Sequence, residues 1–131
     1  MPNAGPYALV VGGKCSLMRD PSLALDIRMQ YRIVEASGDR GPYKVTITAY
    51  MYIVDDHRGR EVFSYHWQPD GPKVKFPHLH VEHPAFKKAH FPTRRISLEE
   101  VLTLLIADFG VQPLKSDWER VLTGTQQKFA T

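Results

Sequence analysis

Apolar and polar residues alternate along two long segments in the first half of the chain. Every second residue of 25–33 is apolar, and residues 43–53 alternate again with many β-branched and aromatic side chains. A period of two predicts strands that bury one face. In the first segment the core face is predicted to carry Leu25, Ile27, Met29, Tyr31 and Ile33.

The same alternation continues through residues 61–67 and near residues 75–82. Pro77 cannot donate to a strand ladder, so this last strand lies at an edge or begins there. The opposite face of the sheet is then predicted to be a polar surface. Its members are Arg28, Gln30, Arg32, Lys44, Thr46, Thr48, Tyr50, Tyr52, Ser64, His66, His78 and His80.

The period changes in the last third of the chain. Ser97 followed by Glu100 has the spacing of a capping box, and helical spacing continues to about residue 109, before Gly110. A second helix is predicted over about 117–129, with Trp118, Val121 and Leu122 on one stripe. Strands followed by helices predict one α+β domain over residues 1–131. We expect an antiparallel meander of four to five strands within about 7–82, with both helices covering the face of Ile27, Ile47 and Phe63.

Composition sets the class of protein more than its activity. A chain of 131 residues, 43% hydrophobic and 24% charged, fits one soluble domain. Cys15 is the only cysteine, which excludes an internal disulfide and a multi-cysteine metal site. The apolar run at residues 7–11 is too short for a signal peptide or a membrane span, so we expect a cytoplasmic protein with no membrane partner.

Histidine is concentrated in one stretch of the sequence. Five of the six histidines lie between positions 66 and 90, namely His66, His78, His80, His83 and His90. Alternate residues on a strand point the same way, so His78 and His80 could converge on one metal ion. His66, Glu82 or His90 would supply a third ligand to zinc or another divalent metal. The alternative for the strand histidines is that they only form hydrogen bonds. The same interpretation is favoured for His57 and His83, which are expected in turns or loops.

The charge around the histidines favours a different chemistry. Residues 73–95 carry six basic side chains, among them Arg94 and Arg95, against the single acid Glu82. Such a field repels a divalent cation and attracts phosphate. Two histidines can serve as general base and general acid while Arg28 or Arg32 stabilises the phosphate, as in metal-independent cleavage of RNA. No cofactor is needed, and His66, His78 and His80 are the candidate catalytic residues.

Two smaller features of the sequence accompany the histidines. Thr93, Arg94 and Arg95 precede the capped helix and could hold an anion at its N-terminus, although such residues often only shape the entry to a helix. Ser64 shares a face with His66 but has no evident acid partner, which argues against a serine hydrolase.

The combination of these motifs resembles a known pattern. It consists of Tyr65-His66-Trp67, then Pro77-His78-Leu79-His80, then His90-Phe91-Pro92-Thr93, then the helix from Ile96 to Leu102. Over about residues 61–109 this is similar to small bacterial proteins and, distantly, to the TumE-like toxins of toxin–antitoxin pairs. The resemblance implies a bacterial source and an RNA-directed or partner-directed role, with an antitoxin as one such partner.

Three functions therefore remain open on the sequence alone. The first is a toxin-like ribonuclease or another RNA- or phosphate-directed protein. The second is a non-catalytic interaction module that pairs through its sheet face or edge with a protein partner or as a homodimer. The third is a metal-binding protein that uses His66, His78, His80 and His90.

Overall fold

In the part of the chain that the structure describes, seven strands form a single antiparallel sheet, and two helices follow it. The computed structural model describes residues 7–10, 15–17, 23–38 and 41–129. The strands are β1 (Tyr7–Val10), β2 (Cys15–Leu17), β3 (Leu23–Glu35), β4 (Tyr43–Asp55), β5 (Glu61–Trp67), β6 (His78–Val81) and β7 (Phe91–Pro92). A 3-10 helix (Pro84–Phe86) separates β6 from β7, and the helices are α1 (Leu98–Ala107) and α2 (Trp118–Phe129).

The predicted α+β class and the meander are confirmed. Strands β3 to β7 pair with their neighbours in chain order, while β1 and β2 both pair with the outer edge of β3. The predicted count of four to five strands was too low. The additional strands are two to four residues long, and such short segments show too few alternations for a period of two to be recognised.

The core lies between the sheet and α1. Val101 and Leu105 of α1 are 1% and 0% exposed and pack in one cluster with Leu25, Tyr52 and Phe63. Helix α1 thus covers the predicted face, and Ile47 packs against this core. Burying this many apolar side chains on one side is the main source of stability for such a domain.

The start of α1 follows the predicted cap. The side chain of Ser97 accepts a hydrogen bond from the backbone N–H of Glu100, and Gly110 beyond the helix has φ 72°. The Glu100 carboxylate binds Arg94 and Gln126. In α2, Val121 is 43% exposed, so this position of the predicted apolar stripe lies largely outside the core. Among the described helices, none is long and apolar enough to cross a membrane.

A β-bulge reverses the alternation within β4. Gln30 pairs with Ala49 but Tyr31 pairs with Ile47, which leaves Thr48 as an extra residue. Beyond the bulge, Tyr50 and Tyr52 therefore face the helices, and they are only 3% and 1% exposed. The prediction that these two tyrosines lie on the polar face was wrong, because it extended one unbroken period through residue 48.

Candidate metal centre

The face opposite the helices brings the strand histidines together. In the pairing of β5 with β6, His66 lies opposite His78 and Ser64 lies opposite His80. Since side chains alternate along each strand, His66, His78 and His80 project from the same face, which agrees with the sequence-based placement. The next strand adds a fourth member, because β7 pairs with β6 and places the His90 ring 5.1 Å from that of His78 and 4.7 Å from that of His80.

The three strand histidines have the separations of a metal-ligand set. One ring nitrogen from each of His66, His78 and His80 can be chosen so that all lie within 4.8 Å of one another. The Nε2 atoms of His78 and His80 are 3.1 Å apart. Zn–N bonds of 2.0–2.1 Å in a tetrahedral site separate ligand nitrogens by about 3.3 Å. Small rotations of the rings would therefore complete a site for zinc or a similar ion.

Hydrogen bonds select the nitrogen that His78 would offer. Its Nδ1 is 2.8 Å from the backbone carbonyl of Phe76, which can only accept, so Nδ1 carries the hydrogen. Nε2 then holds a lone pair. In the metal-free protein the 3.1 Å contact is a hydrogen bond from His80 Nε2–H to His78 Nε2. A metal ion would take the place of that hydrogen.

The face around the cluster is more enclosed than the sequence suggested. Ser64 is fully buried and His78 is 4% exposed, whereas an open polar surface was predicted. For His78 the difference arises because β7 pairs beyond β6 and the preceding His90 ring lies against the His78 ring. Within the described residues the histidines therefore form a half-buried cluster, with His90 on its exposed side.

Burial and the neighbouring histidines favour the neutral form of His66 and His80. Burial, followed by the neighbouring histidines His80, His78 and His90, lowers the pKa of His66 to about 4. Burial also lowers the pKa of His80, with His78 and His90 contributing in the same direction. A neutral imidazole is the form that binds a metal, so fewer protons compete for the site at neutral pH.

Two carboxylates lie beside the histidines. The Ser64 hydroxyl donates to Glu61 Oε2 at 3.1 Å and contacts His66 Nε2 at 2.8 Å, while the charge of Glu82 acts on His80. Burial raises the pKa of Glu61. Glu61 was missed from the sequence because the pairing shifts between Val54 and Asp55, and that shift could not be read from the alternation.

Arg94 and Arg95, two of the six basic residues thought to surround the histidines, are bound elsewhere. Arg94 pairs with Glu100 of α1 at 2.7 Å. Arg95 stacks 4.1 Å above the ring of Trp67 and donates to the carbonyl of Ile47. The Thr93 hydroxyl donates to the Arg94 carbonyl. The predicted anion site is thus made of side chains that have partners within the chain, and its role stays a prediction.

The two candidate arginines of β3 lie at different distances from the cluster. Arg28 pairs with Met51, which in turn pairs with His66, so Arg28 shares their row about 10 Å from His66 across the sheet. It lines a groove of about 460 Å³ together with Met51. Arg32 is four residues further along β3, opposite Thr46, and therefore lies farther from the histidines than Arg28 does.

The remaining histidines have local roles or positions. His57 lies exposed in the turn after β4, and the His83 side chain accepts from the backbone N–H of Ala85 at the start of the 3-10 helix. These positions match the interpretation of both as loop residues.

Comparison with protein families, with curated proteins and with solved structures finds no match for this chain.

Proposed function

We propose that this protein binds a divalent transition metal, most favourably zinc, through His66, His78 and His80. The observation that carries the proposal is the set of ring nitrogens within 4.8 Å of one another on adjacent strands. Three imidazoles held on a rigid sheet are a ligand set typical of zinc sites that keep a further position for water or substrate. His90 stands beside His78 and His80 as a fourth ligand that is more exposed.

The local charge supports a cation better than the sequence suggested. Arg94 and Arg95 contact Glu100 and Trp67, whereas Glu61 reaches the cluster through Ser64. A carboxylate that reaches a ligand through a bridging hydroxyl favours a positively charged centre. Two of the six basic residues that argued against a metal therefore have partners outside the cluster.

The experiment is a metal analysis of protein purified without a histidine tag. We expect about one zinc ion per chain after dialysis against dilute zinc, and loss of most of it in His78→Ala. His57→Ala is the matched control, since it also removes one imidazole but from an exposed turn. Less than about a tenth of an equivalent in the unmodified chain would overturn the proposal.

The RNA-directed function and the resemblance to TumE-like toxins stay predictions. A metal-independent ribonuclease would use the same histidines as base and acid, with Arg28 as the cation on their face. The test is cleavage of RNA by chelator-treated protein and by His78→Ala. Cleavage that persists without metal and disappears in the variant would favour this function over metal binding.

A further inference from the structure

We infer that Ser64 and Glu61 are positioning residues of the histidine cluster, which hold His66 in one tautomer and one ring orientation for metal binding. The inference rests on the proposed metal site and extends it to the residues behind the ligands. Its geometry is a continuous chain of hydrogen bonds. Glu61 Oε2 lies 3.1 Å from Ser64 Oγ, which lies 2.8 Å from His66 Nε2.

Counting hydrogens sets the direction of this chain. An ionised carboxylate only accepts, so the single hydrogen of the Ser64 hydroxyl is donated to Glu61. The Ser64 oxygen must then accept, and the donor is His66 Nε2–H. His66 is left with its lone pair on Nδ1, which becomes the atom available to a metal.

Burial of Ser64 keeps its hydroxyl in place in this chain of hydrogen bonds. Its exposed fraction is 0%, so water cannot readily replace its hydroxyl. The same burial argues against Ser64 as a nucleophile, because substrate could not reach it. The acid that the sequence did not reveal is Glu61, but it contacts the serine and not the histidine, which is the wrong order for a Ser–His–acid triad.

The chain of hydrogen bonds from Glu61 to His66 also has an electrostatic effect on the proposed metal site. A metal ion held by Nδ1 would draw electron density from the His66 ring and strengthen the donation from its Nε2–H. That polarisation passes through Ser64 to the negative charge of Glu61. Removing partners of this kind from metal-bound histidines costs about 10- to 100-fold in metal affinity.

The test uses the full chain with Ser64→Ala and Glu61→Gln, and Ser37→Ala as an exposed serine control. Zinc affinity is measured by competition with a chromophoric chelator. We expect Ser64→Ala to bind zinc at least about tenfold more weakly, Glu61→Gln to lose less because its amide oxygen can still accept from Ser64, and Ser37→Ala to match the unmodified protein.

A second measurement separates positioning from a general loss of structure and does not depend on metal. In the metal-free protein, ¹⁵N NMR of the His66 ring should show a protonated Nε2 and an unprotonated Nδ1. Ser64→Ala should shift both nitrogens toward an average of the two tautomers. Unchanged ¹⁵N shifts together with unchanged zinc affinity in Ser64→Ala would overturn the inference. If the unmodified chain binds no zinc, the proposed metal site fails, and a His66 tautomer that is mixed before mutation would overturn the positioning role as well.

Discussion

The Nε2 atom of His78 lies 3.1 Å from the Nε2 atom of His80. The two residues are separated by one position on β6, and the carbonyl of Phe76 holds the first ring by its Nδ1. This contact is a hydrogen bond in the metal-free protein and has nearly the separation of two ligands of one zinc ion. The two Nε2 atoms can thus form a hydrogen bond in the metal-free protein and bind one zinc ion in the metal-bound protein with little movement of the rings.

We expect that contact to be visible in the tautomers of the two rings. In metal-free protein, His78 should carry its hydrogen on Nδ1 and His80 on Nε2, as the bonding pattern requires. On adding zinc, His80 should switch to the Nδ1–H form, because its Nε2 lone pair is needed for the metal. Two-dimensional ¹H–¹⁵N spectra of the ring nitrogens before and after zinc measure this. A His80 ring that keeps Nε2–H in the presence of saturating zinc would contradict the ligand assignment.

The four histidines should contribute unequally to metal affinity. His78 is buried and sits at the centre of the ring contacts, whereas His90 is exposed and reaches only His78 and His80 among the described ring pairs. We expect His78→Ala to abolish measurable zinc binding and His90→Ala to weaken it by about tenfold or less. Calorimetric titration of each variant, with His57→Ala as control, gives the comparison. Equal losses in both variants would show that His90 is a full ligand.

The stability of the metal-free protein should depend on pH through His66. Its pKa is lowered to about 4 in the folded chain, against about 6.5 when unfolded, so the unfolded state takes up a proton first on acidification. Stability from this residue is complete above about pH 6.5, falls as the pH falls, and levels off near pH 4. The slope from one such group is at most about 1.4 kcal/mol per pH unit.

Urea unfolding of chelator-treated protein at several pH values between about 4 and 6.5 measures this pH dependence of the free energy of unfolding. In His66→Gln this contribution is removed, so the free energy of unfolding should vary less with pH. A curve of the same steepness in that variant would assign the pH dependence to other groups.

Tyr50 should stabilise the junction between sheet and helix through its hydroxyl. That oxygen accepts the backbone N–H of Ile96 at 2.9 Å, one residue before the cap of α1, and burial raises the pKa of the phenol. Tyr50→Phe leaves the N–H without its acceptor, at a cost of about 1–2 kcal/mol in the free energy of unfolding. Tyr43→Phe is the control, because Tyr43 is 39% exposed. Similar losses in the free energy of unfolding in both variants would show that the hydrogen bond between Tyr50 and Ile96 has no specific stabilising role.

The sequence allowed the fold class and part of the site to be predicted, for a physical reason. Period-two alternation sets which face a side chain takes, so His66, His78 and His80 could be placed together on β5 and β6. At position 48 the alternation no longer predicts which face a side chain takes. A bulge inserts one residue without any change in composition, and it moved Tyr50 and Tyr52 from the predicted polar face into the core.

Other features of the site depend on contacts that are distant in sequence or too short to carry a pattern. β7 has two residues, yet its pairing with β6 brings His90 to the cluster and helps to bury His78. The positions of two of the six basic residues could not be read from the sequence for a related reason. Arg94 and Arg95 are near the histidines in sequence, but a salt bridge to Glu100 and stacking on Trp67 hold them elsewhere.

Cobalt(II) titration of tag-free, chelator-treated protein tests the metal site most directly, because bound cobalt reports its ligand geometry in the visible spectrum. We expect visible absorption bands of a tetrahedral or five-coordinate nitrogen site, saturating at about one equivalent, reversed by zinc, and absent in His78→Ala but retained in His57→Ala. A spectrum that stays that of aqueous cobalt, or bands that survive His78→Ala, would contradict it.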